Sequence, residues 1–163
     1  AVEGIRSVMA ESMLICAPHA NSYHRFQSGS YAPVNMSWGY NNRTVSIRIP
    51  ANSGPDMRIE HRLAGADANP YLLVSALLAG LNHGLITKIE PPAPVEGNAY
   101  LQADTKLPLT WEKAKSHFDQ AKILPEYFGK EFCQLFSNLK LGEQTRFMST
   151  IVPHEYDWYL KTV

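Results

Sequence analysis

The chain has 163 residues, 45% of them hydrophobic, and its 15 basic and 15 acidic side chains sum to zero net charge. That length suits one domain with an ordinary core, and the zero balance argues against a nucleic-acid or membrane-surface footprint. The longest apolar stretch, around 71–81, contains serine and glycine and runs into Asn82 and His83, short of the roughly 20 residues of a bilayer span.

Residues 2–17 read as an amphipathic helix, since Ile5, Met9, Met13 and Cys16 recur at helical spacing before Pro18 stops it. The stretch has neither a starting methionine nor a basic leader, and it reads as a chain entered midway. From 21 to 42 the sequence is rich in Ser, Gly, Asn and aromatics without steady period, which predicts a long ordered loop or short strand. Val45, Ile47 and Ile49 alternate with Ser46 and Arg48, so 44–49 reads as a strand ended by Pro50. The same period over 57–63 places Arg58, Glu60 and Arg62 on one face of a second strand.

Asn69 and Pro70 form a helix start, and the segment from there to about His83 is apolar nearly all round, which predicts a buried helix ended by Gly84. Residues 89–109, with Pro91, Pro92, Pro94 and Pro108, read as a connecting arm over the surface. The remainder reads as helices over 111–121 and 125–139 followed by two shorter ones, with Phe128, Phe132, Leu135, Phe136 and Leu139 on one stripe. The expected architecture is therefore α+β: a few antiparallel strands packed with helices, and a helical C-terminal half.

Cys16 and Cys133 lie far apart in apolar surroundings with no zinc spacing, and read as reduced, buried thiols of a cytoplasmic protein. The Asn-x-Ser/Thr triplets at Asn35 and Asn42 read as chance occurrences.

The distribution of charge says more than its sum. All eight lysines lie from Lys88 onward, while five of the seven arginines are Arg25, Arg43, Arg48, Arg58 and Arg62, accompanied only by Asp56 and Glu60. Three charges on one strand face fit either a solvated surface with ion pairs or an anion-handling site. A solubilising surface would mix in lysine, whereas arginine's planar fork suits a two-point grip on phosphate or carboxylate, so the anion site is favoured. Glu60 fits either a ligand of Mg²⁺, which takes one or two carboxylates beside substrate phosphates, or a salt bridge to Arg58 or Arg62.

Asn21-Ser22-Tyr23-His24-Arg25, Ala32-Pro33, Asn42-Arg43-Thr44-Val45-Ser46-Ile47-Arg48-Ile49-Pro50, Arg58-Ile59-Glu60-His61-Arg62 and Asp67-Ala68-Asn69-Pro70-Tyr71 stand in one order. Together they resemble the C-terminal part of the catalytic domain of glutamine synthetases, most strongly over 21–85. The resemblance implies that residues 1–163 are a partial catalytic domain, with the upstream part and the N-terminal domain absent and the fragment inactive alone. It implies that Arg25 holds a carboxylate of substrate glutamate and that Arg62 contacts glutamate or its transferred phosphate. Arg43, Arg48 and Arg58 are implied to bind nucleotide phosphates, with Arg43 and Arg62 close to the chemistry, and Glu60 to ligate a divalent cation. ATP and Mg²⁺ or Mn²⁺ are the implied cofactors, glutamate and an amine the substrates, and a homo-oligomer the assembly.

Ammonia-using members carry a glutamate immediately before Ala-Pro in the acceptor flap, where this chain has Tyr31. Loss of that charge weakens an ammonium site and, with Glu60-His61-Arg62 leading into Ala64-Gly65-Ala66-Asp67, resembles the branch that glutamylates putrescine or a similar amine. Glutamine synthetase proper, and a truncated relative with a structural role, are the alternatives.

Overall fold

A computed structural model describes residues 1–50, 54–102 and 107–162; positions 103–106 of the proline-rich arm lie outside them. The order is α1 (Val2–Ser7), α2 (Met9–Cys16), a short 3-10 helix (Ala20–Arg25), β1 (Trp38–Tyr40), β2 (Ile47–Ile49), β3 (Glu60–His61) and α3 (Pro70–Thr87). A second 3-10 turn (Ala99–Leu101) then precedes α4 (Trp111–Asp119), α5 (Leu124–Phe128), α6 (Lys130–Met148) and α7 (Pro153–Tyr159). The α+β class and the helical C-terminal half are as the sequence predicts.

The core is built around α1 and α2, which meet at Val8 and bury Ile5, Val8, Met9, Met13, Leu14 and Ile15. α1 lies against α3, and α2 against α3 and α4. The α1–α3 contact is made by glycines: a Cβ on Gly4 would fall 2.1 Å from the Gly80 carbonyl oxygen and 2.6 Å from Gly84 Cα. Glu11, on α2, uses its carboxylate to accept the N–H groups of Lys122, Ile123 and Leu124 at 2.8–3.3 Å, capping α5 from another part of the chain.

The sheet is smaller than expected and mixed. β2 lies between its neighbours, antiparallel to β3 but parallel to β1 with Trp38 opposite Ile47. So short a parallel return is made possible by Asn41, with φ of 48°, and Asn42, whose Oδ1 accepts the Thr44 N–H at 2.9 Å and hydroxyl at 2.7 Å. Thr44 is consumed by that turn, so the strand begins at Ile47 rather than 44. The second strand shrinks to Glu60–His61, and Met57, Arg58 and Ile59 are exposed without ladder partners.

The arm runs along the outer edge of β1. Val95 N–H donates to Trp38 O at 2.8 Å, Trp38 Nε1 to Pro92 O at 2.8 Å, and Asn42 Nδ2 to the carbonyls of Val95 and Gly97 at 3.1 and 2.8 Å. Asn35, which the sequence offers only as a chance triplet, is a buried knot: its Nδ2 donates to Ala99 O at 2.6 Å and its Oδ1 accepts the Ser37 hydroxyl at 2.5 Å.

Three helical expectations need correction. The single amphipathic helix predicted over 2–17 is broken at Val8 into α1 and α2, and α2 is buried nearly all round. α3 starts at the Asn69 cap, whose Oδ1 accepts from Tyr71 and Leu72, but runs past Gly84 to Thr87 and is not buried all round. Its inner face is Ala76, Ala79, Gly80 and Gly84, while Tyr71, Val74, Leu78, Leu85 and Ile86 are exposed, Leu85 at 65% and Ile86 at 69%. Small residues let the helix approach α1 so closely that the large ones are left outside. With 18 residues and mean hydropathy 1.3, α3 passes a bilayer helix's test of length and composition, yet at about 27 Å it is shorter than the roughly 30 Å hydrocarbon core. Farther on, Gly129, with φ of 82°, breaks the predicted 125–139 helix, and α6 continues to Met148. Its buried positions are Cys133, Ser137, Lys140 and Gln144, while Leu135 and Leu139 of the predicted stripe are exposed. Lys140 is held by Pro18 O at 3.3 Å and Glu143 at 2.7 Å, and Gln144 donates to Trp111 O at 3.1 Å.

Candidate functional site

Pairing between β2 and β3 sets Arg48 directly opposite Glu60. One Glu60 oxygen accepts from Arg48 Nη1 at 3.1 Å and the other from Arg62 Nε at 3.1 Å, so the carboxylate is gripped from both sides. Glu60 and Arg62 share a face because strand side chains alternate, and His61 and Leu63 take the opposite one. Both arginines are partly buried and the Glu60 side chain is 38% exposed, a setting in which such pairs add at most about 1 kcal/mol each. The ladder thus organises charge more than it stabilises the fold.

Arg62 does more than the sequence suggests. Its Nη1 donates to Val45 O at 3.1 Å and to Arg43 O, and its Nη2 to Tyr31 O at 3.0 Å. Of five guanidinium N–H groups, four are thus engaged, and the fifth has no acceptor among the described residues. Arg62 ties the backbone at Tyr31, the β1–β2 turn and Glu60 together. Arg48 differs: its Nε is buried and has no acceptor among the described residues.

Arg25 stands apart from this ladder, and no described contact joins it to Glu60. Its guanidinium lies over the buried Phe26 ring, 4.3 Å from the centroid, and its Nε and Nη2 are buried without acceptors. Burial lowers its pKa, opposed by the charge of Asp67. On the same side, His61 Nδ1 and the Tyr23 hydroxyl are also buried and unpaired. Burial, and secondarily the charge of Arg25, depress His61 to about 4, so it is neutral near pH 7. A buried donor without a partner costs about 1–3 kcal/mol, and several at two neighbouring places mark where an anion would be welcome.

The other predicted site residues do not converge. Arg43 is exposed, borders a cleft of about 680 Å³ with Tyr40, Asn41, Glu96 and Gly97, and joins the ladder only through its carbonyl. Arg58 is exposed, donates to Asp56 O at 3.1 Å, and makes no contact with Glu60; the expected single face of Arg58, Glu60 and Arg62 stops at Glu60 because the strand begins there. Tyr31 is 63% exposed at φ of 59°. Among the described residues there is no group of three His, Cys, Asp or Glu side chains able to hold a metal ion. Both Glu60 oxygens face guanidinium groups, so these residues offer one carboxylate toward a cation and do not make a metal site by themselves.

His61, Asp67 and Ser22 stand in the quoted motifs but carry no assigned role in the sequence analysis. The orphaned Nδ1 of His61 has no sequence signal beyond its place between Glu60 and Arg62, and Asp67 could be singled out only by the motif that carries it.

Comparison with known proteins gives the class first. The chain matches the glutamine synthetase catalytic domain over residues 1–159. It belongs to the glutamine synthetase family. It is 41% identical to gamma-glutamylputrescine synthetase of Escherichia coli K12, over 97% of this chain and 34% of that protein. It is 37% identical to gamma-glutamylethanolamide synthetase of Streptomyces coelicolor, over 94% and 32%, and 35% identical to glutamate–isopropylamine ligase of a Pseudomonas species, over 98% and 36%. The chain therefore spans about a third of these relatives. Among solved structures, GmaS in complex with ADP superposes with a TM-score of 0.84 at 27% identity, over 98% of this chain and 38% of that one. GmaS without ligand gives 0.85 at the same identity, over 98% and 37%.

Proposed function

We propose that the chain forms part of an ATP-dependent glutamate–amine ligase that works through a γ-glutamyl phosphate and takes a polyamine such as putrescine as acceptor. The observation that carries it is the Arg48–Glu60–Arg62 ladder, which holds a partly desolvated guanidinium with one buried N–H unspent. A carboxylate is a poor acylating agent. Transfer of the γ-phosphoryl group of ATP to the side-chain carboxylate of glutamate releases ADP and gives an acyl phosphate. An amine then attacks the acyl carbon, loses a proton, and expels phosphate. Such a transition state spreads negative charge over phosphoryl oxygens, and fixed donors in a dry setting stabilise it best. Arg48, with its buried Nε, and the one remaining Nη2 hydrogen of Arg62 suit that task.

Arg25, with two unpaired donors, suits a substrate carboxylate, and the exposed Arg43 and Arg58 suit nucleotide phosphates. Glu60 would supply one ligand to a divalent cation, whose chemistry is to neutralise phosphate charge; the other ligands would come from outside these residues. Three amine-glutamylating relatives, and Tyr31 at the flap position, support an acceptor larger than ammonia. The test is phosphate release by the full-length protein with glutamate and ATP, comparing putrescine, ethanolamine and ammonium. Release that is greatest with putrescine supports the reading, release greatest with ammonium makes it a glutamine synthetase, and none with any amine ends the ligase reading.

A further inference from the structure

Residues 27–31 are all exposed, and the chain then turns inward at once, with Ala32 buried and Pro33 fully so. At that boundary stands Tyr31, whose φ of 59° is a left-handed conformation that a residue with a Cβ rarely adopts. Its own side chain gives no reason for it: the ring is 63% exposed, and its hydroxyl makes no hydrogen bond among the described residues. The backbone that follows is held instead. Ser30 Oγ accepts the Ala32 N–H at 3.2 Å, Arg62 Nη2 donates to Tyr31 O at 3.0 Å, and the Tyr100 hydroxyl donates to Ala32 O at 2.9 Å. Of these partners Tyr100 is the most remote, 68 positions along the chain in the proline-rich arm. The turn beneath it is rigidly seated. Ala99 is fully buried, its N–H donates to Thr44 Oγ1 at 2.9 Å and its carbonyl accepts from Asn35 Nδ2 at 2.6 Å, while Asn98 Oδ1 accepts the Tyr100 N–H at 3.0 Å. A strained backbone persists only where its surroundings over-determine it, and such places collect where a side chain must be aimed.

We propose that Tyr100 is a positioning residue for the acceptor amine: by fastening the Ala32 carbonyl it keeps Tyr31 left-handed and its ring presented outside the core, where the amine arrives. The inference rests on the reading of Tyr31 as an acceptor-side residue. A ring on a loose loop would give up backbone freedom on each binding event, and one already fixed does not. Arg62 holds the Tyr31 carbonyl from the charged ladder, and Tyr100 holds the next carbonyl from the arm. Tyr100 touches neither substrate nor reacting atoms in this scheme.

The test uses the full-length protein with Tyr100→Phe, which removes one hydroxyl and keeps the ring. Measured with whichever amine the wild type uses best, the KM for that amine is expected to rise about tenfold, with kcat and the KM values for glutamate and ATP within about twofold. Glycine holds a positive φ without help, so in a Tyr31→Gly background Tyr100→Phe should change the amine KM by less than about twofold. An unchanged amine KM in Tyr100→Phe, a parallel rise for glutamate and ATP, or the same tenfold rise in the Tyr31→Gly background overturns the proposal. A crystal structure of Tyr100→Phe adds an arm independent of turnover: Tyr31 departing from positive φ supports the proposal, and Tyr31 unchanged overturns it. If the wild type releases no phosphate with any amine, the ligase reading fails, and that arm still decides whether Tyr100 holds Tyr31.

Discussion

Two titratable residues deep in the fold behave in ways that follow from burial. His61 is pushed down to about 4 chiefly by desolvation, below its value near 6.5 in an unfolded chain. The folded state therefore holds fewer protons between those values, so the stability the group contributes is complete above about pH 6.5 and is lost as pH falls toward 4. We expect unfolding free energy to drop by up to roughly 3 kcal/mol across that window, and His61→Gln to flatten the drop; chemical denaturation at stepped pH measures it. Cys16 is raised to about 12, mainly by desolvation, and the thiolate is the reactive form. Native protein at pH 8 should resist iodoacetamide at Cys16 and label there on unfolding, as read by mass spectrometry. Glu60 separates site from scaffold: Glu60→Gln in the full-length protein should abolish phosphate release yet move the metal-free melting temperature by less than about 3 °C, since its half-exposed pairs contribute little. Retained activity with a clearly lower melting temperature would mean that Glu60 is only a salt-bridge partner.

At the scale of elements, the sharpest contrast is between two helical glycines. A Cβ on Gly4 has nowhere to go between α1 and α3, whereas one on Gly142 of α6 meets nothing within 4 Å. Gly4→Ala should cost roughly 2 kcal/mol by forcing the helices apart, and Gly142→Ala should stabilise by about 0.5–1 kcal/mol through helix propensity; melting curves of the two variants should shift in opposite directions. The same glycines explain what the sequence could show. The Asn69 cap, the helix content and the alternation at Val45–Ile49 are local signals and were legible. The exposure of Leu78 and Ile86 was not, because an all-round apolar helix gives no face from periodicity and the choice fell to small residues that fit α1. The parallel return of β2 was hidden for a like reason, since it depends on Asn41 and Asn42 reversing the chain rather than on strand pattern. In the site, the arginine cluster and Glu60 were legible as residue types. The assignment of Arg62 to backbone carbonyls, and the separation of Arg25 from the ladder, depend on tertiary register and were not.

For the whole molecule, the outer face of α3 and the exposed Leu135, Leu139, Trp158 and Leu160 leave large apolar area facing water, more than a lone monomer ordinarily tolerates. The 163-residue chain should self-associate as concentration rises, with mass from light scattering above the 18.3 kDa monomer, and Leu78→Lys with Ile86→Lys should reduce it; a monodisperse monomer at every concentration would contradict this. The proline-rich arm gives the sheet a direction of growth. Occupied by Val95 and bordered by Pro92 and Pro94, which have no N–H to offer, the β1 margin is closed to newcomers, and among the described residues β3 is left as the open selvage. Any strand that extends this fabric must be laid down beside Glu60 and His61, so the act of completing the sheet and the act of enclosing the charged ladder become a single event.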